Sequence, residues 1–111
     1  MIRVYYRVST DKQEFRMQEL AIKNLCKDQG FDYNACKIYT DYAITGTIAD
    51  RKEYQMLLSD LQDYDTILAY EFSRLWRDMS EQAPMTRKFR ERNITVLSPR
   101  DGRLDKTQTC S

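Results

Sequence analysis

Four short apolar runs alternate with longer stretches of helical periodicity, and this alternation constrains the fold more than any other feature of the chain. The runs are Met1 to Tyr6, Cys36 to Thr40, Thr66 to Phe72 and Ile94 to Leu97. The first alternates and is rich in β-branched and aromatic residues, as a strand is. The third is nearly continuous, which suits a strand covered on both faces. Residues 14–29 read as a helix in which Met17, Leu20, Ala21 and Leu25 form one apolar stripe and Gly30 supplies the stop. Asp41 to Asp50 reads as a polar loop around Gly46. Asp50 then has the character of an N-cap, with Glu53 three residues on, ahead of Tyr54, Leu57, Leu58 and Leu61 at i, i+3, i+4 and i+7. Glu81 to Arg92 reads as a third helix with Pro84 in its first turn, where proline is tolerated. Residues 98–111 carry little apolar content and are expected to be loose. The order βαβαβαβ predicts an α/β domain: a mainly parallel sheet of four to five strands, flanked by helices on right-handed crossovers.

The length of 111 residues fits one domain, and a hydrophobic fraction of 41% is enough for it to fold. No run approaches the length of a membrane-spanning helix. Arg3 interrupts the opening apolar stretch, which argues against a signal peptide, so a cytoplasmic protein is expected. Cys26, Cys36 and Cys110 are odd in number and lack CxxC spacing, so free thiols are expected and a metal site is not. The chain has no histidine. That removes Ser-His-Asp and Cys-His mechanisms and every His-ligated metal site.

The net charge of +1 says little about partners, but its distribution is uneven. Residues 1–70 hold 9 basic and 11 acidic side chains, and residues 71–111 hold 9 basic and 6 acidic. Eleven of the 18 basic residues are arginine, whose forked donors contact phosphate in pairs where lysine acts as a point charge. Most of these arginines also fit a solvated surface.

Ser9 follows the first strand, and in open α/β sheets the carboxyl edge of the strands is where ligands bind. Two readings of Ser9 and Thr10 stand side by side: a helix cap, or an oxygen nucleophile beside the Arg7 guanidinium. Arg51 follows the second strand and its loop. Ser73-Arg74-Leu75-Trp76-Arg77 follows the third strand and leaves the sheet on the same edge. Arg74 and Arg77 are three apart and share a helical face. Guanidiniums converging on one hydroxyl would stabilise the extra negative charge of a phosphodiester under attack.

Tyr5-x-Arg7-Val8-Ser9-Thr10, Asp50-Arg51 and Arg74-Leu75-x-Arg77 together resemble the catalytic domain of the serine site-specific recombinases, over roughly residues 1–97. The resemblance implies that Ser9 attacks a DNA phosphodiester, forms a 5′-phosphoserine link and frees a 3′-hydroxyl, with no metal and no nucleotide cofactor. Arg7, Arg51, Arg74 and Arg77 would bind the scissile phosphate. Tyr5, Gln18 and Asp65 match supporting positions, although packing, a surface helix position and a turn describe them equally well. Duplex DNA is the implied partner, with a homodimer or tetramer in the longer protein.

Three departures accompany the resemblance. The family usually has aspartate where Ser73 stands. Trp76 replaces a small or polar residue, and either stacks on a base or sugar or buries against the sheet. The chain also ends near where the family's long dimer helix begins, ahead of a separate DNA-binding domain. The expectation is therefore a catalytic domain alone, as a fragment or a truncated product. The alternative is a non-catalytic remnant that pairs with an intact recombinase. A nucleotide-binding domain of small-molecule type would need a Gly-rich loop after the first strand, and Gly30, Gly46 and Gly102 build none.

Overall fold

Strand β1 (Ile2–Val8) is an interior strand of the sheet, paired on both sides. The structure, a computed structural model, describes residues 1–8, 12–42, 51–75 and 79–104. β1 runs parallel to β2 (Lys37–Tyr42) and to β3 (Thr66–Ala69), and β3 runs parallel to β4 (Thr95–Ser98). β5 (Gly102–Leu104) closes the sheet antiparallel to β4, giving the order β2-β1-β3-β4-β5. The expected α/β class and mainly parallel sheet are what the chain forms.

The helices are α1 (Lys12–Gln29), α2 (Lys52–Asp60) and α3 (Met79–Glu91). Side-chain alternation along β1 divides the interior into two layers. Val4, Tyr6 and Val8 join Ile22 and Cys26 of α1, with Leu68 and Leu97, on one face. Tyr5 joins Tyr54 and Leu57 of α2, Phe89 of α3, Ile67, Ala69 and Val96 on the other. β3 thus buries residues into both layers, as its continuous apolar run requires. Burying Leu57 completely contributes about 2 kcal/mol relative to leaving it in water.

Two helices end in the same motif. Phe31 N–H bonds the Cys26 carbonyl at 2.7 Å and Gly30 N–H bonds that of Lys27 at 3.3 Å, with Gly30 at φ 77°. At α3, Ile94 N–H bonds the Phe89 carbonyl at 2.8 Å and Asn93 N–H that of Arg90 at 3.1 Å, with Asn93 at φ 59°. Both are Schellman caps, which place glycine or asparagine in the left-handed region.

Five expectations need correction. The buried face of α1 is Gln18, Ile22 and Cys26, while Met17 and Leu20 are 48% and 62% exposed. An apolar-stripe reading misses this face because a glutamine begins it. β3 stops at Ala69 rather than Phe72, because the Tyr70 carbonyl and Phe72 N–H are taken by side chains of residues 98 and 101. Pro84 lies in the second turn of α3, which starts two residues earlier than expected. Residues 102–104 form a strand rather than a loose tail, because Ser98 folds the turn before them. Finally, the N-cap of α2 is Arg51, which makes no side-chain cap bond, and Asp50 lies outside the described residues.

Candidate active site

Strand order reverses between β1 and β3: β2 lies to one side of β1 and β3 to the other. In such sheets the crevice at the carboxyl ends beside the reversal is where ligands bind. Arg7 ends the inward-facing series Arg3, Tyr5, Arg7 on β1, and Ser73-Arg74 follows β3 across that reversal.

Arg7 is partly buried, and its Nε is fully enclosed with no hydrogen-bond partner among the described residues. A buried cationic donor without an acceptor is costly. Its backbone is held by Gln18, whose Nε2 donates to the Arg7 carbonyl at 3.4 Å and to Glu14 Oε1 at 3.4 Å. Gln18 is completely buried, and its Oε1 also lacks a partner among the described residues. Its place is therefore beneath the end of β1 rather than on a helix surface.

Asp41, expected to open a polar loop, instead belongs to β2. It sits on β2 in register with Arg7 and is 4% exposed. Its Oδ2 accepts from the Tyr5 hydroxyl at 2.9 Å and from Tyr54 N–H at 3.0 Å, and its Oδ1 accepts from Glu53 N–H at 2.9 Å. Asp41 therefore caps α2 from the neighbouring strand, which is why no local cap is needed. The available signal was the Tyr39-x-Asp41 alternation, which continues β2 past Thr40.

That capping carboxylate sits where the helix dipole favours negative charge, and Arg51 sits where the dipole disfavours positive charge. Arg51 is nonetheless 5% exposed and firmly placed. Its Nη2 donates to the Leu75 carbonyl at 2.8 Å, and its guanidinium lies 4.2 Å from the centroid of the Tyr54 ring. The Tyr54 ring in turn packs on Tyr5, with centroids 5.2 Å apart. Burial and the bond to Asp41 raise the Tyr5 pKa, against the opposing influence of Arg51, so the phenol stays protonated and donates. Tyr5 thus packs and supports at once.

Arg7, Tyr5, Gln18 and Arg51 come together at this edge with Asp41. Ser73 is exposed on the 3-10 turn Phe72–Arg74, and Arg74 is its last residue. Ser9, Thr10, Trp76 and Arg77 lie outside the described residues. Asp65 does not join the group. It opens β3 at the opposite edge, where it accepts from Arg3 Nε at 2.8 Å, the Met1 amine at 3.1 Å and Gln62 N–H at 2.9 Å. Arg3 also donates to the Tyr39 hydroxyl at 3.0 Å and the Asp60 carbonyl at 2.9 Å. Asp65 braces the amino-terminal edge of the sheet. Among the described residues no cluster of three or more His, Cys, Asp or Glu could hold a metal ion, and no helix is long and apolar enough to cross a membrane.

Arg7 and Arg51 thus lie toward the carboxyl edge of a parallel sheet beside its strand reversal, and comparison with known proteins places this fold. The family model "Resolvase, N terminal domain" matches residues 2–110. The R46 site-specific recombinase of Escherichia coli is 34% identical over 98 residues, covering 88% of this chain. The chain spans 48% of that relative, about half its length. The crystal structure of the N-terminal catalytic domain of TP901-1 integrase shares the fold, with a TM-score of 0.71 at 22% identity, over 91% of this chain and 79% of that one. The chain belongs to the resolvase family, as an N-terminal domain of the serine recombinase type.

Proposed function

We propose that this domain cleaves and rejoins DNA strands in site-specific recombination, with Ser9 as nucleophile. The Ser9 oxygen forms a bond to phosphorus and the bond from phosphorus to the 3′-oxygen breaks. The serine proton is lost, the 3′-oxygen gains one, and a 5′-phosphoserine link remains. Rejoining reverses the step with another 3′-hydroxyl, so the link conserves the energy of the phosphodiester.

The observation that carries this reading is the place of Arg7 near the carboxyl end of β1, beside the strand reversal, in register with Asp41 and two positions before Ser9. A guanidinium there would give a phosphate oxygen charge-assisted bonds. Arg51, Arg74 and Arg77 complete the cradle in this reading and stabilise the phosphorane's added charge. Tyr5 and Asp41 hold the start of α2, and so hold Arg51. Gln18 holds the backbone at Arg7. Duplex DNA is the partner, in the cytoplasm, with a homodimer or tetramer in the longer protein.

The test is covalent trapping. Residues 1–111 are fused to a DNA-binding domain of known site and offered a nicked suicide duplex in chelator. An adduct on a denaturing gel that disappears in Ser9→Ala supports the reading. No adduct, beside a working family domain, contradicts it and points to a non-catalytic modulator.

A further inference from the structure

The turn joining β4 to β5 grips the segment that carries Arg74. Ser98, 3% exposed, donates its hydroxyl to the Tyr70 carbonyl at 2.7 Å. The same oxygen accepts from the N–H groups of Arg100 at 3.1 Å and Asp101 at 3.0 Å. This folds the turn back over the carboxyl end of β3 and brings Asp101 to Phe72, whose N–H donates to Asp101 Oδ2 at 2.7 Å. Phe72 opens the 3-10 turn Phe72–Arg74, and Glu71 at its N-cap makes no side-chain cap bond. The first N–H of a helical turn has no partner within the turn. A carboxylate acceptor makes the replacement bond charge-assisted and stronger than a neutral one.

Arg100 braces the same corner from outside, with Nε 3.6 Å from Glu71 Oε1 and Nη1 donating to the Tyr70 hydroxyl at 3.4 Å. On the far side, Arg51 Nη2 holds the Leu75 carbonyl at 2.8 Å. Residues 70–75 are thus fixed at both ends, by the hairpin and by Arg51. Ser73, within this segment, brings no charge where the family usually has a carboxylate.

We propose that Asp101 is a positioning residue for strand cleavage: its carboxylate, on Phe72 N–H, sets the 3-10 turn that presents Arg74 to the scissile phosphate. The inference rests on the reading of Arg74 as a phosphate ligand. Asp101 itself stays off the phosphate, which would repel it, and acts through the backbone of the turn. Asparagine retains an oxygen acceptor at this position and alanine does not, so the two variants separate the hydrogen bond from the mere presence of a side chain.

The experiment measures single-turnover adduct formation on a suicide duplex with the fused chain, across DNA concentrations. Asp101→Ala is expected to lower the rate at saturating DNA about tenfold, within the hundredfold that a 1 Å misplacement can cost. The half-saturating DNA concentration should stay nearly unchanged, and Asp101→Asn should recover most of the rate. Asp101→Ala reacting at the wild-type rate, or Asp101→Asn as slow as Asp101→Ala, would overturn the proposal. Amide exchange without DNA gives a second readout, with faster exchange at Phe72 expected in Asp101→Ala. Unchanged exchange there would overturn the anchor even in a protein that cleaves nothing, whereas a wild-type chain that forms no adduct would overturn the Ser9 reading instead.

Discussion

The Tyr5 hydroxyl and Asp41 Oδ2 meet at 2.9 Å in the interior, joining β1 to β2. The same carboxylate receives two N–H groups of α2, so one side chain ties β1, β2 and the helix that starts at Arg51. Removing it strands three donors. Asp41→Ala should lower stability by about 3 kcal/mol, and Tyr5→Phe, which loses one hydroxyl and keeps the ring, by about 1 kcal/mol. Urea unfolding of the three proteins checks this. Equal losses in both variants would show that the Tyr5–Asp41 bond alone, rather than the three-donor network, carries the stability.

Arg7 contributes through its charge rather than through stability. Its Nε has no partner among the described residues to lose, so Arg7→Ala should unfold close to the wild-type urea midpoint and yet form no DNA adduct. Arg74→Ala should do the same. Adduct formation by either variant at the wild-type rate would refute the phosphate cradle.

Acid should weaken the opposite edge of the sheet. Desolvation pushes the Asp65 carboxyl up, but Gln62 N–H, Arg3 and the N-terminal amine outweigh it, and its pKa lies below the ordinary carboxylate value. A folded pKa below the unfolded one stabilises the fold above the unfolded pKa and is lost as pH falls through the folded pKa. Asp65→Asn should therefore cost about 3 kcal/mol at pH 7, where it breaks a buried pair with Arg3, and distinctly less in strong acid. Urea midpoints for both proteins across the acid range check the sign. A deficit independent of pH would contradict it.

Gly30→Ala isolates a backbone effect. Gly30 has φ 77°, and a Cβ there would meet no atom within 4 Å, so only conformational strain is added. The loss should be about 1 kcal/mol. A loss several times larger would mean that the α1 cap couples to packing that the open surroundings do not show.

The sequence was most legible where one signal determines one element. Tyr54 and Leu57 of α2, with Leu61 at its C-cap, and Ile67 to Ala69 of β3 are buried as their periodicity predicts, and Leu58 is partly buried beside them. It misled where a polar residue occupies an inward position. Gln18 is polar on the buried face of α1, so the apolar stripe runs instead through Met17 and Leu20, which face water. Asp41 caps a helix from another strand, so the local Asp50 and Glu53 pattern points to the wrong cap. Asp65 precedes β3 and the segment with Ser73 and Arg74 follows it, so the two lie at opposite ends of the strand, a distinction of strand polarity rather than composition. The β4–β5 hairpin depends on the Ser98 hydroxyl meeting backbone groups of residues 70, 100 and 101, a convergence that only the folded chain displays.

The most direct test of the central claim is to map the covalent bond itself. The trapped adduct is digested with nuclease and protease, and the modified peptide is sequenced by mass spectrometry. The account predicts a nucleotide joined through its 5′-phosphate to Ser9, with a free 3′-hydroxyl on the other DNA fragment. Attachment at any other residue, or through a 3′-phosphate, would contradict it.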